Sequence, residues 1–216
     1  VSRTPPVRHG GFAPERREYD PLYDPIYHAT RVLIGFTQGL FKALPDGRYR
    51  WSPDPDKTEI TVTGAYPLTM SAINNRPAIV VVHGQTGYTN VAMDGMETVT
   101  FETGNKVYRD ILATTAVFNC VARTGPEASA LAWFMASNIK ALKTLLQRKG
   151  PFTRVGPEIT ISGEMPPGAL IQDAVDGGAV NVPVIVPIFV PHKWEVRNPA
   201  HQLDDIQLVT GIAEDN

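Results

Sequence analysis

The stretch whose residue types come nearest to chemistry is Val80-Val81-Val82-His83-Gly84-Gln85-Thr86-Gly87. A β-branched run that delivers a histidine and a glycine to a strand end can present backbone N–H groups to the oxyanion of an acyl transfer. That reaction also needs a serine on a sharp Gly-x-Ser-x-Gly turn, followed by an acid and a histidine. None of Ser2, Ser52, Ser71, Ser129, Ser137 or Ser162 has that context. Gly84 and Gly87 then read as the shapers of a turn after a buried strand. The same segment is too short for a phosphate loop, and no Lys-Ser or Lys-Thr follows it.

The other reactive side chains assemble no motif. His9, His28, His83, His192 and His201 are scattered, and none has the spacing of a zinc helix or finger. Asp54, Asp56 and Glu59 resemble the start of a calcium loop but lack the glycine at its sixth position and the closing bidentate glutamate. Cys120 lies mid-strand, away from the helix N-terminus or cationic neighbour that would make it a thiolate. Asp204-Asp205 and Glu214-Asp215 fall in a terminal tail and read as solvated charge. The expectation is no catalytic set, no cofactor and no metal.

The elements that must position these residues are organised around Lys106 to Gly150. Lys106 to Arg123 is rich in Val, Ile, Thr, Phe and Tyr, contains neither Gly nor Pro, and reads as one strand. Eighteen extended residues span roughly 60 Å, far more than one core needs. Part of the segment is therefore expected to project as one leg of a long β-hairpin, with Met96 to Phe101 as the other leg and Gly104-Asn105 as the turn. A helix follows. Thr124 and Glu127 have the spacing of a capping box, and Pro126 presets the first turn. Ala128, Leu131, Met135, Ile139, Leu142 and Leu146 recur at steps of three or four, so that stripe faces a sheet. Gly150-Pro151 stops it.

Upstream, Pro25 opens a first helix to about Leu44, whose apolar face includes Ile26, Leu33, Phe36 and Phe41. Arg48 to Ser52 reads as a short strand or packed loop, Lys57 to Thr63 as a strand, and Ala65 to Asn75 as a loop. Arg76 to His83 reads as a strand buried on both faces. Downstream, Glu158 to Ser162 is a short strand, followed by a Gly/Pro-rich loop to Gly178. Val182 to Val190 is strand-like, yet Pro183, Pro187 and Pro191 recur every four residues. Their missing N–H donors all point to one side, which predicts an edge strand with a blocked outer side, or one that meets a neighbouring subunit through side chains alone. Ile206 to Ile212 is a last candidate strand, in cis or on another subunit.

Composition bounds the rest. A chain of 216 residues with 43% hydrophobic content can bury one substantial core. A net charge of -2 argues against nucleic acid held by a global basic field. A single cysteine cannot form an intrachain disulfide. No apolar run is long enough for a membrane span, and the first residues lack a signal peptide's apolar core, so synthesis in the cytoplasm is expected. Residues 1–24 read as an N-terminal arm with Arg3, Arg8, Arg16 and Arg17; Tyr19, Leu22, Tyr23 and Tyr27 suit docking against a neighbour better than a solvated tail. Residues 25–198 form the α/β domain and 199–216 a C-terminal tail. The fold class expected is α/β in the α+β sense: a mixed, mainly antiparallel sheet packed against two main helices.

That order of elements, with the phrases Arg76-Pro77-Ala78-Ile79-Val80-Val81 and Arg123-Thr124-Gly125-Pro126-Glu127-Ala128, resembles the tail terminator and related neck proteins of tailed bacteriophages. The likeness spans roughly Pro25 to Arg197. It implies a structural virion protein, made in the host cytoplasm and assembled into the phage neck as a homo-oligomeric ring, often six-fold. Such a ring terminates the tail tube or joins it to the head connector, with genomic DNA passing through a central channel without sequence-specific binding and with no membrane involved. Its partners would be further copies of itself, tail-tube proteins and connector or adaptor proteins. Tyr19, Tyr23, Tyr27, Pro183, Pro187 and Pro191 are then candidate interaction residues, and Lys106 and Arg109 candidate channel-facing cations. Solvated hairpin charges are the plainer alternative for the last two. Three other readings stay open: a head-closure or adaptor layer of the neck, an α/β hydrolase-like enzyme using the His83-Gly84 region, and a host-encoded scaffold or binding module with no phage connection.

Overall fold

The computed structural model describes residues 24–44, 48–64, 68–69, 72–73, 76–90, 96–99, 106–156, 158–172 and 178–196. Among the described residues two long α-helices and a mixed, mostly antiparallel sheet make an α+β fold. Helix α1 is Pro25–Lys42 and α2 is Gly125–Lys149. The strands are β1 Thr61–Thr63, β2 Leu68–Thr69, β3 Ala78–His83, β4 Gly87–Asn90, β5 Met96–Val99, β6 Lys106–Ala122, β7 Arg154–Val155, β8 Thr160–Ile161, β9 Ile171–Gln172 and β10 Val180–Val196. Among the described residues β2 and β9 form a separate parallel pair, and the other eight strands form one sheet.

That sheet is built on a spine of two 17-residue strands. β6 and β10 run antiparallel, one-to-one and without a bulge from Ala122 opposite Val180 to Lys106 opposite Val196. Along the other side of β6 the chain lays down β3, β4 and β5 in series, all antiparallel to it, and β1 adds outside β3 in parallel. The turn expected at Gly104-Asn105 lies outside the described residues.

Strand parity decides which face is core. Leu112, Ala116, Phe118, Cys120 and Ala122 of β6 alternate inward, and Val182, Val184, Val186, Ile188 and Val190 do the same on β10. Both helices close over this face. α1 contributes Ile26, Ala29, Leu33 and Phe41; α2 contributes Ala128, Leu131, Ala132, Met135, Ile139 and Leu146. Phe41 and Phe134 join the two helices with ring centroids 5.1 Å apart. Burying a side chain such as Phe41 is worth roughly 1.5–3 kcal/mol. The hydroxyls of Thr30 and Thr37, also on the buried side of α1, donate to the carbonyls of Ile26 and Leu33, so neither is left unsatisfied.

Helix α1 begins where expected and is capped by a residue the sequence reading left unassigned. The Asp24 carboxylate accepts from the Ile26 and Tyr27 amides at 2.8 and 2.9 Å. Helix α2 departs from expectation at its start. Thr124 occupies the N-cap but makes no side-chain cap bond, and the Glu127 carboxylate accepts from Tyr49 rather than reaching back. The Glu164 carboxylate lies against Gly125 instead, placing negative charge at the positive end of the helix.

The edge-strand reading of Val182 to Val190 is corrected. β10 has neighbours on both sides: β6 along one, and β7, β8 and a Met165–Asn181 bridge along the other. Parity did put the missing donors on one side. The proline carbonyls remain acceptors, however, and Gly156 and Ser162 donate to those of Pro187 and Pro183 at 2.7 and 2.9 Å. Pro183 is buried and Pro187 half-buried within this chain's own sheet, while Pro191 is exposed. The strand expected from Lys57 shortens to Thr61–Thr63 because Asp54 and Lys57 close a turn just before it. Ala65 to Asn75, read as loop, contains β2.

Candidate interaction surface

The face of the sheet turned away from the helices is covered over only part of its length. At one end Ala78 and Val121 are buried beneath Ile73, Ile171 and Ala179. Here the sheet also buries a polar pair: Asn181 Nδ2 donates to Asn119 Oδ1 at 3.0 Å, and Asn119 Nδ2 reaches the Val80 carbonyl at 3.5 Å. Further along, Val82, Ile111, Val117, Ile185 and Phe189 are half-exposed, and Pro191 is exposed. They align in cross-strand rows: Val82 with Val117 and Ile185, Ala113 with Phe189, and Ile111 with Pro191. The result is a largely apolar strip along the spine, flanked on β7 by the exposed Arg154 opposite Phe189.

Beyond the last core residues, Leu112 and Val190, the spine continues for six more residue pairs, from Ile111 opposite Pro191 to Lys106 opposite Val196. At the usual strand rise this adds roughly 20 Å. Lys106 pairs with Val196 on one side and Val99 on the other, and Arg109 stands opposite Lys193. The two candidate cations are therefore both on this distal part. Tyr27 is 60% exposed on α1, whereas Tyr19 and Tyr23 lie outside the described residues. Ile206 to Ile212 lies outside them too. Tyr88 and Trp133, which the sequence reading did not single out, are 67% and 64% exposed.

The sequence's chemical candidates have specific surroundings. The Gly84 N–H is bonded to the Thr115 carbonyl at 2.8 Å, and the Gly84 and Gln85 carbonyls both accept from Thr114 Oγ1. This fixes the step between β3 and β4, where three residues, Gly84 to Thr86, stand opposite two of β6. Cys120 is fully buried, and burial pushes its thiol up to about 12. Asp54 Oδ1 accepts from the Asp56 amide and Glu59 Oε2 from the Arg50 amide, so both carboxylates hold local backbone. Among the described residues no group of three or more His, Cys, Asp or Glu is placed to hold a metal, and no helix is long and apolar enough to cross a membrane.

One titratable pair sits on the distal spine. His192 is opposite the buried Asp110, with the Tyr88 ring centroid 6.2 Å from the imidazole. Desolvation lowers the His192 pKa, and the charge of Asp110 opposes that shift.

The chain matches no protein-family model, and no curated protein matches it significantly.

Proposed function

We propose that this chain is a structural, non-enzymatic virion protein of a tailed phage. It forms a homo-oligomeric ring in the neck that ends the tail tube or joins it to the head connector and leaves a channel for DNA. One observation carries the reading: the β6–β10 spine runs six residue pairs past the core that its inner face serves. A strand needs only about five or six residues to fill its place in a domain of this size. A paired extension of roughly 20 Å gives the subunit a stiff element with which to reach a neighbour.

The surroundings of the reactive candidates support the same reading. An oxyanion site needs an N–H aimed at the substrate. The Gly84 N–H is part of the sheet ladder. A thiol at about 12 within the core is a packing group at neutral pH.

Electron microscopy of the purified protein, with native mass spectrometry across a concentration series, tests the proposal. Rings with a central channel are expected. A protein that stays monomeric at high concentration, or turns over an acyl substrate, overturns it.

A further inference from the structure

The edges of the sheet are closed where they flank the core. On β1 the Val62 carbonyl, directed away from β3, accepts from Gln38 Nε2 at 3.3 Å. On the outer side of β10, Met165, β8 and β7 pair with it in turn from Asn181 to Phe189. Past Phe189 no strand among the described residues pairs with that side, and β10 runs on to Val196. Parity names the backbone groups along it. The carbonyls of Asn181, Pro183, Pro187 and Phe189 all accept from the outer side, and the register with β6 is unbroken. Lys193 and Glu195 therefore direct both their N–H and C=O groups outward, while Pro191 directs a carbonyl alone.

The residue order along this edge is complementary to itself. Lys193-Trp194-Glu195, laid antiparallel against a second copy, sets Lys193 opposite Glu195, Trp194 opposite Trp194 and Glu195 opposite Lys193. The two opposite-charge pairs fall at the positions that exchange backbone hydrogen bonds, so four N–H···O=C bonds form with them. Neighbouring registers are worse. Sliding by one residue turns outward backbone groups against inward ones, and sliding by two sets Lys193 against Lys193 or Glu195 against Glu195. A slide of four toward the core meets Phe189, whose carbonyl already accepts from the Thr153 amide at 2.8 Å.

We propose that two copies of this chain pair β10 to β10, antiparallel over His192–Val196, about a two-fold axis at Trp194. The contact is isologous, the same five residues serving on both sides. Each three-stranded extension of β5, β6 and β10 becomes half of a six-stranded sheet that lies wholly beyond the two cores. Pro191, with no N–H to give, ends the pairing on the core side. This contact goes beyond the ring reading and does not depend on it.

The test uses the full chain with single cysteines along the edge, oxidised by copper phenanthroline; Cys120 is buried and does not compete. In the proposed register position 194 faces its own copy at a Cα separation of ~4.5 Å, within disulfide reach, whereas position 196 faces 192 and lies about 13 Å from its own copy. W194C is expected to give disulfide dimers, H192C and V196C alone none, and a mixture of the last two a mixed dimer. No dimer from W194C, or equal dimer from all three, overturns the proposal. In parallel, K193E and E195K are each expected to lower the dimer fraction several-fold in sedimentation equilibrium, and K193E/E195K to restore it. Single variants that dimerise like the parent overturn the proposal as well. W194C dimers without rings in micrographs would remove the ring and keep this pairing; rings without the W194C link would do the reverse.

Discussion

The Tyr49 hydroxyl donates to Glu127 Oε1 at 2.9 Å, joining the loop after α1 to the first turn of α2 across 78 positions of sequence. Tyr49 holds a positive φ of 75° to make this contact, a conformation that costs a non-glycine residue free energy. The contact thus offsets a local strain.

Tyr49→Phe is expected to lower stability by about 1 kcal/mol, read as a shifted urea midpoint at unchanged slope. Burial, and then the Glu127 bond and charge, raise the Tyr49 pKa. A phenol whose folded pKa is raised stabilises fully below its unfolded value near 10, and that contribution is lost as the pH climbs through the folded value. The gap between Tyr49→Phe and the parent should therefore hold constant to about pH 9 and, above pH 10, carry a pH dependence that the phenylalanine variant lacks.

The Asn119–Asn181 pair is buried, and Asn181 Oδ1 has no partner. Asn181→Ala leaves the buried Asn119 Oδ1 without its donor and should cost about 1–3 kcal/mol in chemical denaturation. Replacing both by valine removes the polar groups together and should cost less than the two single changes summed.

Gly156 donates to the Pro187 carbonyl at 2.7 Å, and a Cβ there would lie 2.9 Å from Pro187 Cδ and 3.0 Å from its oxygen. These are ring and backbone atoms with little room to yield. Gly156→Ala is expected to destabilise by about 2 kcal/mol and to speed hydrogen exchange in residues 153–156, leaving the amides of α2 protected.

Cys120 should resist iodoacetamide at pH 8 in the native protein and react within minutes once the chain is unfolded in guanidinium. Native labelling at the rate of a free thiol would contradict both its burial and its raised pKa.

The assembly reading makes its own demand on the distal spine. Replacing residues 96–109 with a short turn spares every core residue from Leu112 onward, so a folded monomer with a melting temperature only a few degrees lower is expected. Rings should be absent from micrographs of this variant. Rings that form normally would remove the spine from the assembly mechanism.

Much of the fold was legible because long elements carry periodicity. Arg76 to His83 reads as a strand buried on both faces; Ala78 to Val81 are buried, while Val82 is half-exposed and His83 exposed. The stripe from Ala128 to Leu146 predicted the buried face of α2 except at Leu142, which is half-buried. β4, β7 and β9 are two to four residues long, too short for alternation to register, whereas β8 lies inside the short strand expected from Glu158 to Ser162. The Glu127 half of the capping box failed for a non-local reason, since nothing near Glu127 in sequence announces Tyr49. The proline argument found the right side of β10 but counted donors alone, and the pairing there uses carbonyl oxygens. The outer strip was half hidden for a related cause. Val182 to Val190 is apolar at nearly every position, so only the structure separates the core-facing valines from Ile185 and Phe189.

The unbroken register of β6 and β10 makes this chain intolerant of small insertions. One extra codon between Thr114 and Phe118 would send every following side chain of that strand to the opposite side, exchanging Phe118 and Cys120 for Asn119 and Val121 beneath the helices. Length variation among natural versions of this protein should therefore gather in the segments between elements, and the two central strands should drift only by substitution.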